Sequence, residues 1–212
     1  MNPTDPAHNE VQDVSARAVP DGPGAASPSA PGQSTDLAAV ASDPSGQPVR
    51  PSARFMRAHP AHWVALAFGA GLSPVAAGTV GTLWAWLVWA VLLSGFSPRA
   101  QAMVVVIGIP VAWWACTVTA RHLRSADPGA IVVDEVVAFW LVLWLLGPAT
   151  WAAQLGAFVL FRFFDAAKPG PVGWADRLLH HARGWKGGWG ILFDDLVAAF
   201  CTLLVIAAWR AW

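Results

Sequence analysis

Beyond residue 60 the chain holds seven acidic residues: Asp127, Asp134, Glu135, Asp165, Asp176, Asp194 and Asp195. Two pairs are doubled, in IVVDEVVAFW and GILFDDLVAAF, and Asp165 closes the apolar run of FRFFDAAKPG. Carboxylates brought together repel one another unless a cation lies between them. Hard divalent ions such as Mg²⁺ are held by a few carboxylates together with water and phosphate oxygens. Five or six carboxylates meeting from three helix ends would therefore make a Mg²⁺ site, with Asp134, Glu135, Asp165 and Asp195 as ligands and Asp194 as a further catalytic acid. An acid at a helix N-terminus is also an ordinary cap favoured by the helix dipole. Capping accounts for Asp134 or Asp194 singly, but it explains the doubling less well and fails for Asp165 at the C-terminal end of its segment.

Cations stand beside these acids. Arg162, Asp165 and Lys168 are spaced i, i+3, i+6, which places them along one side of a helix that Pro169 stops. They could form an interfacial ladder of ion pairs with snorkelling stems, or the cations could bind an anionic phosphate while the carboxylates hold the metal. Asp176 and Arg177 extend the pattern onto a short amphipathic helix, WADRLLHH, whose His180 and His181 read as interfacial surface residues. GLSPVAAGTVGTLWAW offers a glycine-rich turn before an apolar helix, where exposed backbone N–H groups near Thr79 and Thr82 would suit an anion. GWKGGWG at 184–190 reads as a flexible loop just before Asp194 and Asp195.

The elements that must position these residues are apolar helices. Charged residues are 12% of the 212-residue chain and hydrophobic ones 56%, with 14 Trp and no Tyr, whereas a soluble domain carries about a quarter charged. Helices are expected near 82–96, 102–120, 136–147, 150–164 and 195–209, the third and fourth short enough to form a re-entrant hairpin or tilted, partly embedded helices. Five crossings starting from the cytoplasm would leave Arg50, Arg54, Arg57, Arg121, Arg124, Arg162, Lys168, Arg177, Arg183 and Lys186 inside, and Arg99 and Arg210 outside. That is the bias of a multi-pass inner-membrane protein with a cytosolic working face. Residues 1–52 are rich in Pro, Ala, Ser, Gly and Asp, lack a helical or strand period, and read as a disordered tail without a secretory signal. The division expected is a tail over 1–55 and a helical domain over 56–212. Cys116 and Cys201 lie inside apolar runs and read as small buried hydrophobes in a reducing environment. No basic patch interleaved with aromatics supports nucleic-acid binding.

GLSPVAAGTVGTL, IVVDEVVAFW, FRFFDAAKPGPVGWADR and GGWGILFDDLVAA resemble successive blocks of the bacterial phosphatidylglycerophosphatase A family, from about Gly69 to Ala199. The string FR-x-FD-x-x-KP-x-P, then DR, GG-x-G-I and DD, is specific. The resemblance implies an all-α, multi-helix, membrane-associated bundle with polar active-site loops on the cytosolic face of the bacterial inner membrane. It implies Mg²⁺-dependent hydrolysis of phosphatidylglycerophosphate, an anionic phospholipid, to phosphatidylglycerol and inorganic phosphate in phospholipid biosynthesis. It further implies that Asp134, Glu135, Asp165, Lys168, Asp176, Arg177, Asp194 and Asp195 belong to the polar site. Ala77 stands where Pro is usual, Ala138 and Ala199 where Gly is usual, and Leu192 where Met is usual; no acidic position is lost.

Other chemistries fit less well. Cys116 and Arg121 lack the C-x₅-R spacing of a cysteine phosphatase, and neither a His-rich acid-phosphatase pattern nor a D-x-D motif is present. A transporter would place charge in mid-span, whereas the acids here are expected at helix ends on one face. A membrane-embedded interaction protein would leave doubled acids beside phosphate-type cations unexplained.

Overall fold

A computed structural model describes residues 51–124, 129–179, 182 and 184–212. Residues 1–50 of the expected tail, together with Asp127, His180, His181 and Arg183, lie outside the described residues. Those described form eight α-helices and two 3₁₀ turns, with no strand among them. The helices are α1 (Ala53–Arg57), α2 (Pro60–Ala65), α3 (Ala77–Val91), α4 (Pro98–Leu123), α5 (Val133–Leu146), α6 (Trp151–Ala167), α7 (Pro171–Leu179) and α8 (Trp185–Ala211).

Local chemistry sets several of the ends. Ser97 and Thr150 cap α4 and α6 by accepting from the N–H groups of Ala100 and Ala153, and Pro98 occupies the first turn of α4, where a missing N–H costs nothing. Ser52 caps α1 in the same way, accepting from the Phe55 N–H. Phe55 and Met56 are buried, so ordered packing crosses the boundary expected between residues 55 and 56.

Two boundaries differ from expectation. α3 begins at Ala77 rather than Thr82, and α8 at Trp185 rather than near Asp195. Both early turns are rich in glycine, which reads as loop in a sequence. Here the missing side chains let helices touch. A Cβ on Gly188 would stand 2.0 Å from Thr117 Oγ1 of α4, and one on Gly81 would stand 2.6 Å from Val132 Cβ. Packing overrides propensity at these positions.

Three segments are long and apolar enough to cross a bilayer: Ala77–Gly95, Pro98–Leu123 and Trp185–Ala211. They present Leu87, Val91, Met103, Val106, Phe200 and Leu204 outward, all more than half exposed, as lipid-facing surfaces require. At about 1.5 Å per residue the 14 residues of α5 fall short of the ~30 Å hydrocarbon layer. With 14 and 17 residues, α5 and α6 are both shorter than the three candidate spans. The main core gathers Phe139, Val142 and Leu143 of α5, Phe161 of α6 and Ala198 of α8. A second cluster joins Cys116 of α4, Val137 and Leu192. Cys116 and Cys201 are free and buried, as expected.

Candidate active site

Five helices and one linker bring the polar residues together. α5 is pinned at its start by the Val132 N–H, which donates to Ala65 O at 2.9 Å, and its first turn carries Asp134 and Glu135. α6 returns beside it and ends with Arg162 and Asp165. Lys168 caps α6 in the left-handed conformation (φ 46°, ψ 49°), so its side chain leaves the line of the helix. This corrects the expectation that Arg162, Asp165 and Lys168 share one helical side: the first two touch, and Lys168 turns to α7 and α8. Asp176 projects from α7. Asp194 and Asp195 lie in the third turn of α8, not at its start, so capping cannot be the reason for either.

Two cationic nodes tie the cluster. Arg162 Nη1 donates to Glu135 Oε1 at 3.1 Å, to Asp165 Oδ2, and more weakly to Thr82 Oγ1 at 3.5 Å. Thr82 in turn donates its hydroxyl hydrogen to Gly78 O at 2.9 Å. Lys168 Nζ donates to Asp176 Oδ1 and Asp194 Oδ2, each at 2.6 Å. Between the nodes lies a pocket of about 120 Å³ whose walls include Asp134, Glu135, Asp165, Asp176, Asp194 and Asp195. Among the described residues, six carboxyl groups line the pocket, and two cationic side chains form ion pairs with them.

That imbalance leaves carboxylate oxygens unmatched. Asp134 Oδ1, Glu135 Oε2, Asp194 Oδ1 and Asp195 Oδ2 are buried with no hydrogen-bond partner, which is costly unless something else satisfies them. Oxygens of Glu135, Asp165 and Asp195 lie within 4.8 Å of one another. Buried, orphaned, all-oxygen donors converging on one point are what a hard divalent cation requires, and this cluster can bind a metal ion. Burial, with the neighbouring Glu135 charge, holds the Asp134 carboxyl well above its ordinary range. Burial also lifts Glu135 to about 8, against the pull of Arg162 and with a further push from Asp165. Lys168 loses some basicity to burial, but its bonds to Asp176 and Asp194 outweigh this and raise its pKa.

The structure brings together Asp134, Glu135, Asp165, Asp194, Asp195, Arg162, Lys168, Asp176 and Thr82. Arg177 is exposed on α7 and Thr79 is half-buried in the first turn of α3; neither lines the pocket. Other participants carried no charge to announce them. Gly187, Gly190 and Ile191 line the pocket with Asp194, and their spacing is helical, a period legible in GGWGILFD had the glycines not suggested a loop. Gly78 abuts the site so closely that a Cβ there would stand 2.0 Å from Glu135 Oε1.

A helical membrane bundle with a buried, metal-competent carboxylate cluster and phosphate-type cations defines a class of lipid-facing hydrolase. The sequence profile described as Phosphatidylglycerophosphatase A matches residues 63–210. A phosphatidylglycerophosphatase A from Escherichia coli (strain K12) is 38% identical over 146 residues, covering 68% of this chain and 80% of that protein. One from Haemophilus influenzae is 33% identical over 154 residues, covering 73% and 91%. A Bacteroides thetaiotaomicron protein, provisionally named a phosphatidylinositol-3-phosphatase, is 34% identical over 152 residues, covering 68% and 89%. No solved structure matches. The chain belongs to the phosphatidylglycerophosphatase A family and is a phosphoric monoester hydrolase.

Proposed function

We propose that this enzyme removes the terminal phosphate of phosphatidylglycerophosphate, yielding phosphatidylglycerol and inorganic phosphate, with Mg²⁺ as its cofactor. One observation carries the reading: six carboxyl groups from separate stretches of chain line one small pocket together with Lys168, and Arg162 is ion-paired to two of them. Asp134, Glu135, Asp165 and Asp195 would hold the ion. Bound there, Mg²⁺ supplies charge neutralisation for the phosphoryl group as its ester bond breaks.

The chain's own residues do the positioning. Arg162 is held by Glu135, Asp165 and Thr82, and its fork geometry would suit phosphoryl oxygens. Lys168, held by Asp176 and Asp194, offers a point charge from the opposite node. Both are in place before substrate arrives, so little reorganisation accompanies the transition state. Arg177, exposed beside the pocket on α7, is proposed to meet the lipid phosphate as it approaches.

The site is proposed to face the cytoplasm of the bacterial inner membrane. Three spans plus the α5–α6 pair keep the same sides as five crossings, so Arg54, Arg57, Arg121, Arg124 and Lys186 stay inside and Arg99 and Arg210 outside, in accord with the positive-inside rule.

Phosphate release from defined lipids by the detergent-purified chain is the direct test. Phosphatidylglycerophosphate should be hydrolysed with added Mg²⁺, hydrolysis should stop with chelator, and re-addition should restore it. Full activity in chelator would remove the metal from the mechanism, and turnover of phosphatidylinositol 3-phosphate alone would replace the substrate.

A further inference from the structure

Next to the acidic pocket lies a second cavity of about 420 Å³, walled by Trp113, Leu179, Trp185, Lys186 and Trp189. The two cavities divide the start of α8 between them. Gly187, Gly190 and Asp194 turn to the carboxylates, while Trp185, Lys186 and Trp189 turn the other way. Leu179 of α7 lines both, and it is pressed against α8, since a Cβ on Gly190 would stand 2.7 Å from Leu179 Cβ. One leucine side chain thus parts a polar cavity from an apolar one.

The aromatic wall is held rigidly. Trp113 Nε1 donates to Trp185 O at 2.7 Å, and the Trp113 ring meets those of Trp185 and Trp189 edge-on, with centroids 5.2 and 5.5 Å apart. Lys186 at the rim forms no ion pair among the described residues. We propose that this groove is the hydrocarbon subsite of the phosphatase: it takes the glycerol-proximal part of an acyl chain of the phospholipid whose terminal phosphate enters the acidic pocket.

The proposal rests on the lipid-phosphatase reading and deepens it. Phosphatidylglycerophosphate runs in the order phosphomonoester, glycerol, anionic phosphodiester, diacylglycerol. The acidic pocket and the tryptophan groove meet at Leu179, and Lys186 stands in the wall of the groove. Lys186 complements the single charge of the diester, and rigid amphipathic tryptophans suit the boundary where head group gives way to chain. The groove residues of α8 form the first turns of the candidate span Trp185–Ala211, so a lipid in the bilayer reaches the groove without leaving its leaflet.

The test compares dioleoyl phosphatidylglycerophosphate in micelles with its deacylated, water-soluble head group, and reads the ratio of kcat/KM for the two. Trp185→Ala should lower that ratio about tenfold, roughly the effect of losing one or two buried methylenes, and Trp185→Phe should recover most of it. An unchanged ratio overturns the proposal, whether both activities hold or both fall. If the unaltered enzyme releases phosphate from neither substrate, the phosphatase reading fails, and a second arm judges the groove by itself. A phosphomonoester lipid carrying a diazirine near the glycerol end of its chain should label residues 185–189 more strongly than a matched phosphatidylcholine probe. Equal labelling by the two overturns the groove assignment.

Discussion

Replacing Gly78 by alanine adds one methyl group and no charge, yet it strikes the centre of the site. The new Cβ would lie 2.0 Å from Glu135 Oε1 and 3.0 Å from Arg162 Nη2. Ordinary contact begins at 3.4 Å, so the Glu135 carboxylate must retreat by about 1.4 Å. A carboxylate at the end of a flexible side chain can do this without moving either helix, and the stability loss should stay below the roughly 1–3 kcal/mol usual for overpacking a rigid core. Catalysis should be far less tolerant. The retreat pulls Glu135 from its 3.1 Å bond with Arg162 and from the other ligand oxygens, and a misplacement of about 1 Å costs on the order of 10²-fold in rate. Gly78→Ala is therefore expected to lower kcat/KM about a hundredfold in Mg²⁺-dependent phosphate release, while its unfolding midpoint moves by only a few degrees. Shortening the acid in the double variant Gly78→Ala, Glu135→Asp should recover part of the loss, giving a coupling that two independent sites would not show. Wild-type turnover and metal dependence in Gly78→Ala would refute the placement of Glu135 at the reacting centre.

Other substitutions probe the remaining parts. Asp195→Asn should lower phosphate release by roughly 10²–10³-fold, yet leave the metal-free protein as stable or more so, because Asp195 Oδ2 is buried without a partner and a like-charge neighbour is removed; thermal unfolding with chelator reads this. Lys168→Met removes the cation bonded to Asp194 and Asp176, and should reduce both activity and stability, the latter by about 1 kcal/mol given the partial exposure of Lys168. His62 tests linkage away from the site. Its Nδ1 lies 2.7 Å from Phe55 O and its Nε2 2.8 Å from His122 Nδ1. Burial, only partly opposed by the Phe55 carbonyl, lowers its pKa to about 4. The unfolded chain takes up that proton near pH 6.5, so stability present above pH 6.5 is lost as pH falls toward 4. The difference in urea unfolding between wild type and His62→Gln should show this slope, and a pH-independent difference would refute it. A reporter fused at the C-terminus should read as periplasmic, and a cytoplasmic signal there would reverse the proposed orientation.

How much of this was legible beforehand divides along physical lines. Charge in an apolar chain is conspicuous, so the acids and cations of the pocket could be named from sequence, as could the all-helical class. Geometry that depends on backbone contact was not legible. Gly78, Gly81, Gly188 and Gly190 read as turn or loop by propensity, but each is a place where another chain segment comes within reach of a missing Cβ. The same effect misplaced Asp194 and Asp195 at a helix start. The left-handed cap at Lys168 defeated the helical spacing argument, because one residue with φ 46° sends its side chain to a different neighbour.

The location of Asp194 and Asp195 in the third turn of α8 bears on how the membrane protein can tolerate its own site. At about 1.5 Å per residue, two turns of helix stand between Trp185 and these acids, and those turns are occupied by the glycines and tryptophans of the two cavities. The helix therefore first lines the two cavities, then supplies the carboxylates, and then continues into its apolar stretch. The repulsion among six carboxyl groups is opposed by packing laid just behind them, where Val136, Phe139 and Phe161 are buried and Leu192 and Cys116 seal the other side. A site so arranged owes its geometry to the apolar bundle and not to its internal ion pairs. Its acids can accordingly stay poorly satisfied, as the unpartnered oxygens of Asp134, Glu135, Asp194 and Asp195 show.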